Sequence, residues 1–429
     1  MSQDHPTGQT RSLHALESTN FFLADVQTGL GPFLAAYLAG SGWQPGRVGL
    51  ALTLGGLVTV LLQTPAGALV DRLRSKRAIL ILGSAVLALG AILLSLSTTP
   101  WAVYTAQILI GAAGPFLGPT LAAVTMGLVG VRFFDRQFGR NQGFNSGGNV
   151  ACALLIAAIS HRFGNRAIFL TAAVLTLPTI ASVLWIRPQD IDYELARGGQ
   201  PQRAEGPQPQ KLPKPEALWR ALLGDRVQLT FLICAFLFHF ANAAMLPQLG
   251  EMLSTGHNET AAPFMAACVI VTQFVIMCSA AFLGRWANRH GRRLLLLIGF
   301  GVLPLRALLY TLVHHPAGLI AIQVLDGVAN AIFGVVSILV VADRTRGTGR
   351  FNLLQGALAT AVGIGAALSN SFGGKLVQYF SYRVSFLGLG FIALLAFATL
   401  WIGVPETLSQ DSESDDHSTP APNSPQVFA

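Results

Sequence analysis

The run Gly67-Ala-Leu-Val-Asp71-Arg72-Leu-Arg74-Ser-Lys76-Arg77 is a burst of charge that follows directly on an unbroken apolar segment. It sits between two membrane-spanning helices. The pattern returns at Gly284-Arg-Trp-Ala-Asn288-Arg289-His-Gly291-Arg292-Arg293. Subtracting 67 from 284, 71 from 288 and 72 from 289 gives 217 each time, and a constant offset marks a duplicated half. The same offset lays Asp25, in Phe22-Leu-Ala-Asp25, on Asn242, in His239-Phe-Ala-Asn242.

Composition agrees with a membrane protein. The 429 residues are 52% hydrophobic and 11% charged, with a mean hydropathy of +0.54. A soluble domain carries about twice that charged fraction. Apolar spans of roughly 20 residues read at 12–39, 47–70, 77–98, 101–129, 142–161, 166–186, 226–252, 261–284, 294–313, 316–341, 353–376 and 383–403, two sets of six. The predicted fold is an all-α polytopic membrane protein, twelve transmembrane helices in two pseudo-symmetric six-helix bundles. Residues 1–11 form an N-terminal cytoplasmic segment, 12–186 and 226–404 the bundles, 187–225 a cytoplasmic linker and 405–429 an acidic, disordered tail. The linker's Pro, Gly and Gln content cannot bury a core.

The net charge of +8 does not point to nucleic acid. Of the 28 Lys and Arg residues, all but Arg47, Arg162, Arg166, Lys375, Arg383 and Arg306 fall in alternate loops and flanks. Basic residues mark the cytoplasmic side, which puts both termini inside. The N-terminus has no signal-peptide core, so the first span is read as uncleaved. Short loops and the excess of Arg over Lys suggest a bacterial inner membrane. Cys152, Cys234, Cys268 and Cys278 lie in apolar spans without Cys-x-x-Cys spacing, so neither a disulfide framework nor a zinc site is indicated. No metal, cofactor, nucleophile triad or nucleotide motif appears, and an enzyme is not expected.

The repeated loop resembles the signature of the major facilitator superfamily of secondary transporters, Gly-x-x-x-Asp-Arg/Lys-x-Gly-Arg/Lys-Arg/Lys between helices two and three. The second copy keeps every position except Asn288 for Asp. The first keeps Gly67, Asp71 and Arg72 but has Arg74 for Gly and Ser75 for a basic residue. The resemblance implies a central cavity lined chiefly by helices one, four, seven and ten, and transport by rocking of the halves. It implies a gating role for Gly67, Asp71 and Arg72, and for Gly284, Asn288 and Arg289, through charge contacts that stabilise the outward-facing state. Two departures matter. Gln107 stands where many proton-driven members carry Arg, and the fifth span offers Asn145, Gly148 and Asn149 in place of the Gly-Pro signature of drug/proton antiporters.

Three side chains of fixed charge are read deep in the spans: Asp25, Arg306 and Asp326. Each costs several kcal/mol there unless paired or hydrated, which makes function the default reading. Helical rise puts Arg306 roughly 18 Å from one edge of its span and Asp326 roughly 15 Å from the other end of its own, so the two share a depth and can pair. The pair can be scaffolding. A continuous polar and small face of Gln323, Asp326, Gly327, Asn330 and Gly334 argues for function. If Arg306 neutralises one carboxylate, the other is free to take a proton. The arrangement resembles the sugar/proton symporter branch, which opposes an Arg in helix nine to ionisable residues in helix ten, and Asp25 matches a helix-one proton site of other branches. Asp25 bonded to a neighbouring helix is an equal alternative. His239 and Asn242 share a helix face, and a core histidine is as good a reading as a relay. Gln273 is a further cavity candidate. The expected partners are a small-molecule solute, protons and the lipid bilayer, handled by a monomer. The leading expectation is a proton-coupled transporter of a small polar organic solute; an uncoupled facilitator, an exporter of amphiphiles and a transporter-like sensor are the alternatives.

Overall fold

The computed structural model describes residues 7–28, 30–197, 224–255, 258–346 and 351–408. Among them the long elements are all helices: α1 (Thr7–Thr28), α2 (Leu30–Gly40), α3 (Pro45–Arg72), α4 (Lys76–Leu96), α5 (Pro100–Gly130), α6 (Arg132–Ser160) and α7 (Arg166–Trp185). The second half supplies α8 (Arg226–Asn242), α9 (Met245–Ser254), α10 (Asn258–His290), α11 (Arg292–Leu312), α12 (Pro316–Thr345), α13 (Phe351–Tyr379) and α14 (Tyr382–Gly403). Eleven helical stretches among the described residues are long and apolar enough to cross a membrane, α8 and α9 counting together. The α1–α2 pair takes the twelfth position.

Local chemistry sets the starts and breaks. Pro45, Pro100 and Pro316 occupy the first helical turn, where the missing amide costs nothing. Asp225 caps α8 by accepting from the amides of Val227 at 2.9 Å and Gln228 at 3.3 Å. Helical backbone runs from Pro100 to Phe163 except at Gly130, whose φ of 69° breaks it into α5 and α6. Only glycine adopts that conformation freely. The sequence reads the first and seventh spans as single helices. The seventh is broken at Ala243 and Ala244, and the first is helical on both sides of Gly29, which is outside the described residues.

Internal symmetry extends to hydrogen bonds. A guanidinium of Arg77 donates to the Leu184 carbonyl at 2.9 Å, and that of Arg293 to the Trp401 carbonyl at 2.6 Å. Leu184 and Trp401 are again 217 positions apart. Each half thus ties the start of its third crossing to the end of its sixth.

The two halves meet through the helix ends remote from the basic loops. There Thr53 Oγ1 on α3 donates to the Ala367 carbonyl on α13 at 2.6 Å and accepts the Ser371 amide at 3.0 Å. Gly49 and Gly374 let the two backbones touch: a Cβ at Gly49 would overlap the Asn370 carbonyl oxygen. A second seam packs Phe33 of α2 and Cys152 and Ile156 of α6 with Met245, Leu249 and Met265 of the other half in one apolar cluster. Toward the basic loops Gly67, Gly284 and Gly356 face open space. Among the described residues the cleft between the halves is therefore sealed on the face remote from the basic loops and open toward them.

Two segments that the sequence reads as linker and tail are folded in part. Within 187–225, Ile191 and Ala196 are buried and the Asp192 amide donates to the Gly127 carbonyl at 2.9 Å, so 187–197 is docked on α5. Residues 198–223 lie outside the described residues. In 405–429, Glu406 folds back onto the start of α11, accepting the amides of Arg292 at 2.8 Å and Arg293 at 3.0 Å; 409–429 lie outside the described residues. Among the cysteines, Cys152, Cys234 and Cys268 are buried, whereas Cys278 is exposed on the surface of α10.

Candidate transport site

The close approach of α10 and α12 depends on Gly327, where a Cβ would crowd Val275 and the Thr272 carbonyl. That approach brings Thr272 beside Asp326. On α12 the spacing of Gln323, Asp326 and Asn330 turns all three to one side, and α11 presents Arg306 and Tyr310 one turn apart. The result is a buried polar knot. Arg306 is fully buried and Asp326 is 6% exposed.

Arg306 Nη1 donates to Asp326 Oδ1 at 2.7 Å, so the pairing suggested by shared depth is made. The same nitrogen donates to Asn242 Oδ1. Arg306 Nε donates to Tyr310 Oη at 3.0 Å, and Nη2 donates to Gln323 Oε1 at 3.4 Å. Gln323 Nε2 closes the ring by donating to Tyr310 Oη at 2.7 Å. Around Asp326, Asn330 Nδ2 donates to Oδ1 at 2.9 Å and Thr272 Oγ1 to Oδ2 at 3.3 Å. Asn242 and Asn330 are linked at 3.5 Å and are half-buried, so they form the edge of the knot. A buried ion pair stands only if its remaining hydrogen-bonding capacity is met, and here each partner has several neighbours.

Five of the sequence candidates are thus brought together: Arg306, Asp326, Asn242, Gln323 and Asn330. His239, on α8 near Asn242, faces differently. Its Nδ1 lies 3.1 Å from the Ala235 carbonyl and its ring packs edge-on against Phe333, centroids 4.6 Å apart. Gln273 is half-buried beside Thr272. In the first half Gln107 is buried where α5 meets α3, its carboxamide oxygen against Gly55. Farther along the same stripe Gly114 and Gly118 face open space. Asn149 is buried and donates to Asn145 at 3.5 Å, next to Gly148, where the Phe21 backbone leaves no room for a Cβ. The side chain of Asp25 lies outside the described residues.

Of the gating residues, Gly67 and Gly284 face open space, and Asp71, Arg72 and Arg289 are exposed. Asn288 Oδ1 accepts from Arg292 Nη1 at 2.7 Å, and Arg292 Nε is 3.1 Å from Asp343 Oδ2.

Sequence reasoning missed four contributors. Tyr310 and Thr272 complete the knot; Tyr310 follows Arg306 by one helical turn, which was the available signal. Glu17 on α1 is buried, with Arg140 Nη2 at 2.8 Å and Gln137 Nε2 at 3.0 Å from its Oε1. Glu251 on α9 is 2% exposed. Both acids sit near the ends of apolar spans, where a sequence reading counts them as interfacial.

Fold and site together define a membrane carrier of two pseudo-symmetric bundles with a charged knot beside the cleft. The model of the Major Facilitator Superfamily matches residues 18–281 and 232–425. The chain belongs to this superfamily. It is 38% identical over 407 residues to the MFS-type transporter Rv2456c of Mycobacterium tuberculosis, covering 94% of this chain and 95% of that protein. The multidrug resistance protein MdtG of Citrobacter koseri is 33% identical over 135 residues, 31% of this chain and 33% of that one. The crystal structure of the nucleoside transporter NupG superposes with a TM-score of 0.73 at 13% identity, covering 92% of this chain and 98% of that one, a likeness of fold.

Proposed function

We propose that this protein is a proton-coupled secondary transporter that moves a small polar organic solute by alternating access across a bacterial cytoplasmic membrane. In this reading it acts as a monomer with both termini and the basic loops in the cytoplasm. The observation that carries the proposal is the Arg306–Asp326 pair, buried beside the cleft with Asn242 and Asn330 at its half-buried edge. A proton arriving on Asp326 neutralises the carboxylate and releases the Arg306 guanidinium. That group, with the Asn242 and Asn330 amides, then has hydrogen bonds to offer the hydroxyl, carbonyl or carboxylate of a solute. Asp25, at the position equivalent to Asn242, is the second proton site. Gln107, Asn145 and Asn149 supply polar groups from the first half, and His239, Gln273 and Gln323 from the second.

The test is charge movement by reconstituted protein on a solid-supported membrane. Sugars, organic acids, amines and amphiphiles are applied across a range of pH to wild type, Asp326→Asn and Asp25→Asn. A solute that evokes pH-dependent current in wild type and none in Asp326→Asn supports the coupled carrier. Solute entry without current, unchanged by either substitution, rejects it in favour of an uncoupled or electroneutral carrier and returns Asp326 to scaffolding. The likeness to MdtG favours a second reading, export of amphiphilic compounds, which predicts that current follows the amphiphiles alone.

A further inference from the structure

The α3 helix begins without a cap from its own segment. Pro45 has no amide to satisfy, the Gln44 side chain makes no capping hydrogen bond, and the Arg47 and Val48 amides both donate to the Gln44 carbonyl. The Gly46 amide is left over. It donates to Gln378 Oε1 at 3.1 Å, a carboxamide on the last turn of α13 in the other half, 332 residues away. The α12 and α14 helices start on the same face of the molecule, and each is capped by the residue just before it. His315 Nδ1 accepts the Ala317 amide at 3.3 Å, and Ser381 Oγ accepts the Val384 amide at 3.2 Å. First-turn amides have no partner inside their own helix, and of these three helices α3 takes its acceptor from across the cleft.

Gln378 ends a row of contacts. Asn370, Gly374 and Gln378 follow one another at four-residue spacing and so share a face of α13. That face lies on α3, with the Asn370 carbonyl against Gly49, Gly374 against the Pro45 carbonyl and Gln378 over Gly46, where a Cβ would run into the carboxamide. Gln378 is exposed, as are Tyr379 and Phe380 after it, so its hydrogen bond stands at the water-exposed end of the seam. The charged side chains that flank the contact in sequence, Arg47 and Lys375, are exposed and of like sign, so they cannot pair with each other.

We propose that Gln378 is the latch of the sealed face: its carboxamide caps α3 while the cleft is shut there and must let go of Gly46 before α3 and α13 part. The inference rests on the alternating-access reading, in which this seam opens. Because the acceptor and the amide belong to different halves, the cap exists only in the sealed state and biases the equilibrium toward it.

The experiment uses the full chain in lipid nanodiscs with spin labels at Arg162→Cys and His314→Cys, both exposed on the sealed face, in a Cys278→Ser background. Distances are read by pulsed electron resonance. Gln378→Met keeps the length of the side chain and removes the acceptor, and it should raise the open-to-sealed ratio about fivefold, the usual effect of losing a helix cap. Gln378→Glu keeps an acceptor and adds negative charge at a helix N-terminus, so its ratio should be at or below that of wild type. Gly46→Ala should raise the ratio, and adding Gln378→Met to it should change little more, because the hydrogen bond is already gone. A Gln378→Met ratio equal to wild type, in the same assay in which Gly49→Ala shifts it, overturns the latch and leaves alternating access standing. A ratio raised as far by Gln378→Glu as by Gln378→Met, or a full further shift in the double variant, overturns it too, since packing rather than the acceptor would then be at work. If no variant moves the distances, Gly49→Ala included, the seam does not open and both readings fail. Distances that shift as expected in a protein yielding no solute current overturn the transport reading and leave the latch.

Discussion

The carboxylate of Glu406 accepts the backbone amide of Arg292 at 2.8 Å, across 114 residues of chain. It also accepts the amides of Arg293 at 3.0 Å and Leu408 at 3.0 Å. The segment after the last helix thereby caps α11, the helix that carries Arg306, at a point where Gly291 (φ 88°) has just turned the chain.

Burial alone would raise the Glu406 pKa, but the amides of Leu408, Arg292, Arg293 and Thr407 hold it below the ordinary value of 4.5. Its stabilising effect is therefore complete above about pH 4.5 and is lost as the pH falls through the lowered value. Glu406→Gln should cost about 1 kcal/mol near neutrality. Thermal melts of the two proteins should differ by a constant amount from pH 7 down to about 5 and converge below. A gap that persists into strong acid would remove the ionised cap.

The Arg306–Asp326 pair predicts strong non-additivity. Arg306→Met leaves the Asp326 carboxylate buried without its guanidinium, which should cost about 3–5 kcal/mol. Adding Asp326→Leu removes the stranded charge, and the double variant should recover most of that loss in a thermal melt while giving no solute-driven current. Losses that simply add would mean the two groups are not coupled in the folded protein.

The sealed face predicts how a single methyl group redistributes conformations. At Gly49 a Cβ would run into the Asn370 carbonyl, so Gly49→Ala must push α3 and α13 apart. Overpacking of this kind costs about 1–3 kcal/mol, enough to shift a two-state equilibrium by about 5- to 150-fold. Spin labels at Arg162→Cys and His314→Cys, both exposed on the sealed face, should move to longer distances in Gly49→Ala when read by pulsed electron resonance in a Cys278→Ser background. Gly301→Ala, whose Cβ would sit in ordinary contact with Phe397 of the same half, should leave the distribution as in wild type.

The crossings were legible in the sequence because apolar runs of membrane length are local, and the duplicated half because the loop motif repeats at a fixed offset. The Arg306–Asp326 pair was legible because charge is so costly at that depth that two opposite groups at one level have to meet. Helix breaks were harder to read. Ala243 and Ala244 are good helix formers, and the seventh crossing is interrupted there where the Ala244 amide instead donates to Ser369 Oγ at 3.0 Å, a contact made 125 residues away. Glu251 and Glu17 escaped for a related reason. Their burial is created by neighbouring helices, α14 for one and α6 for the other, and linear hydropathy carries no record of that cover.

The two copies of the charged loop should matter to different degrees. Asn288 is tied within its own half, accepting from Arg292 at 2.7 Å while Arg292 also holds Asp343 and its amide is capped by Glu406. These contacts exist with the cleft open toward the basic loops, so losing one of them should lower stability by about 0.5–1.5 kcal/mol and leave the cycle largely intact. Asp71 ends α3 on the face where the halves stand apart, and its carboxylate is exposed. In the proposed gating role its charge acts when that face closes, so Asp71→Asn should slow the closing step with little effect on the melting temperature. Initial flux and thermal melts of both variants in liposomes separate the roles. Flux slowed as much by Asn288→Ala as by Asp71→Asn would show that both loops work in gating, and would cancel the asymmetry drawn from their contacts.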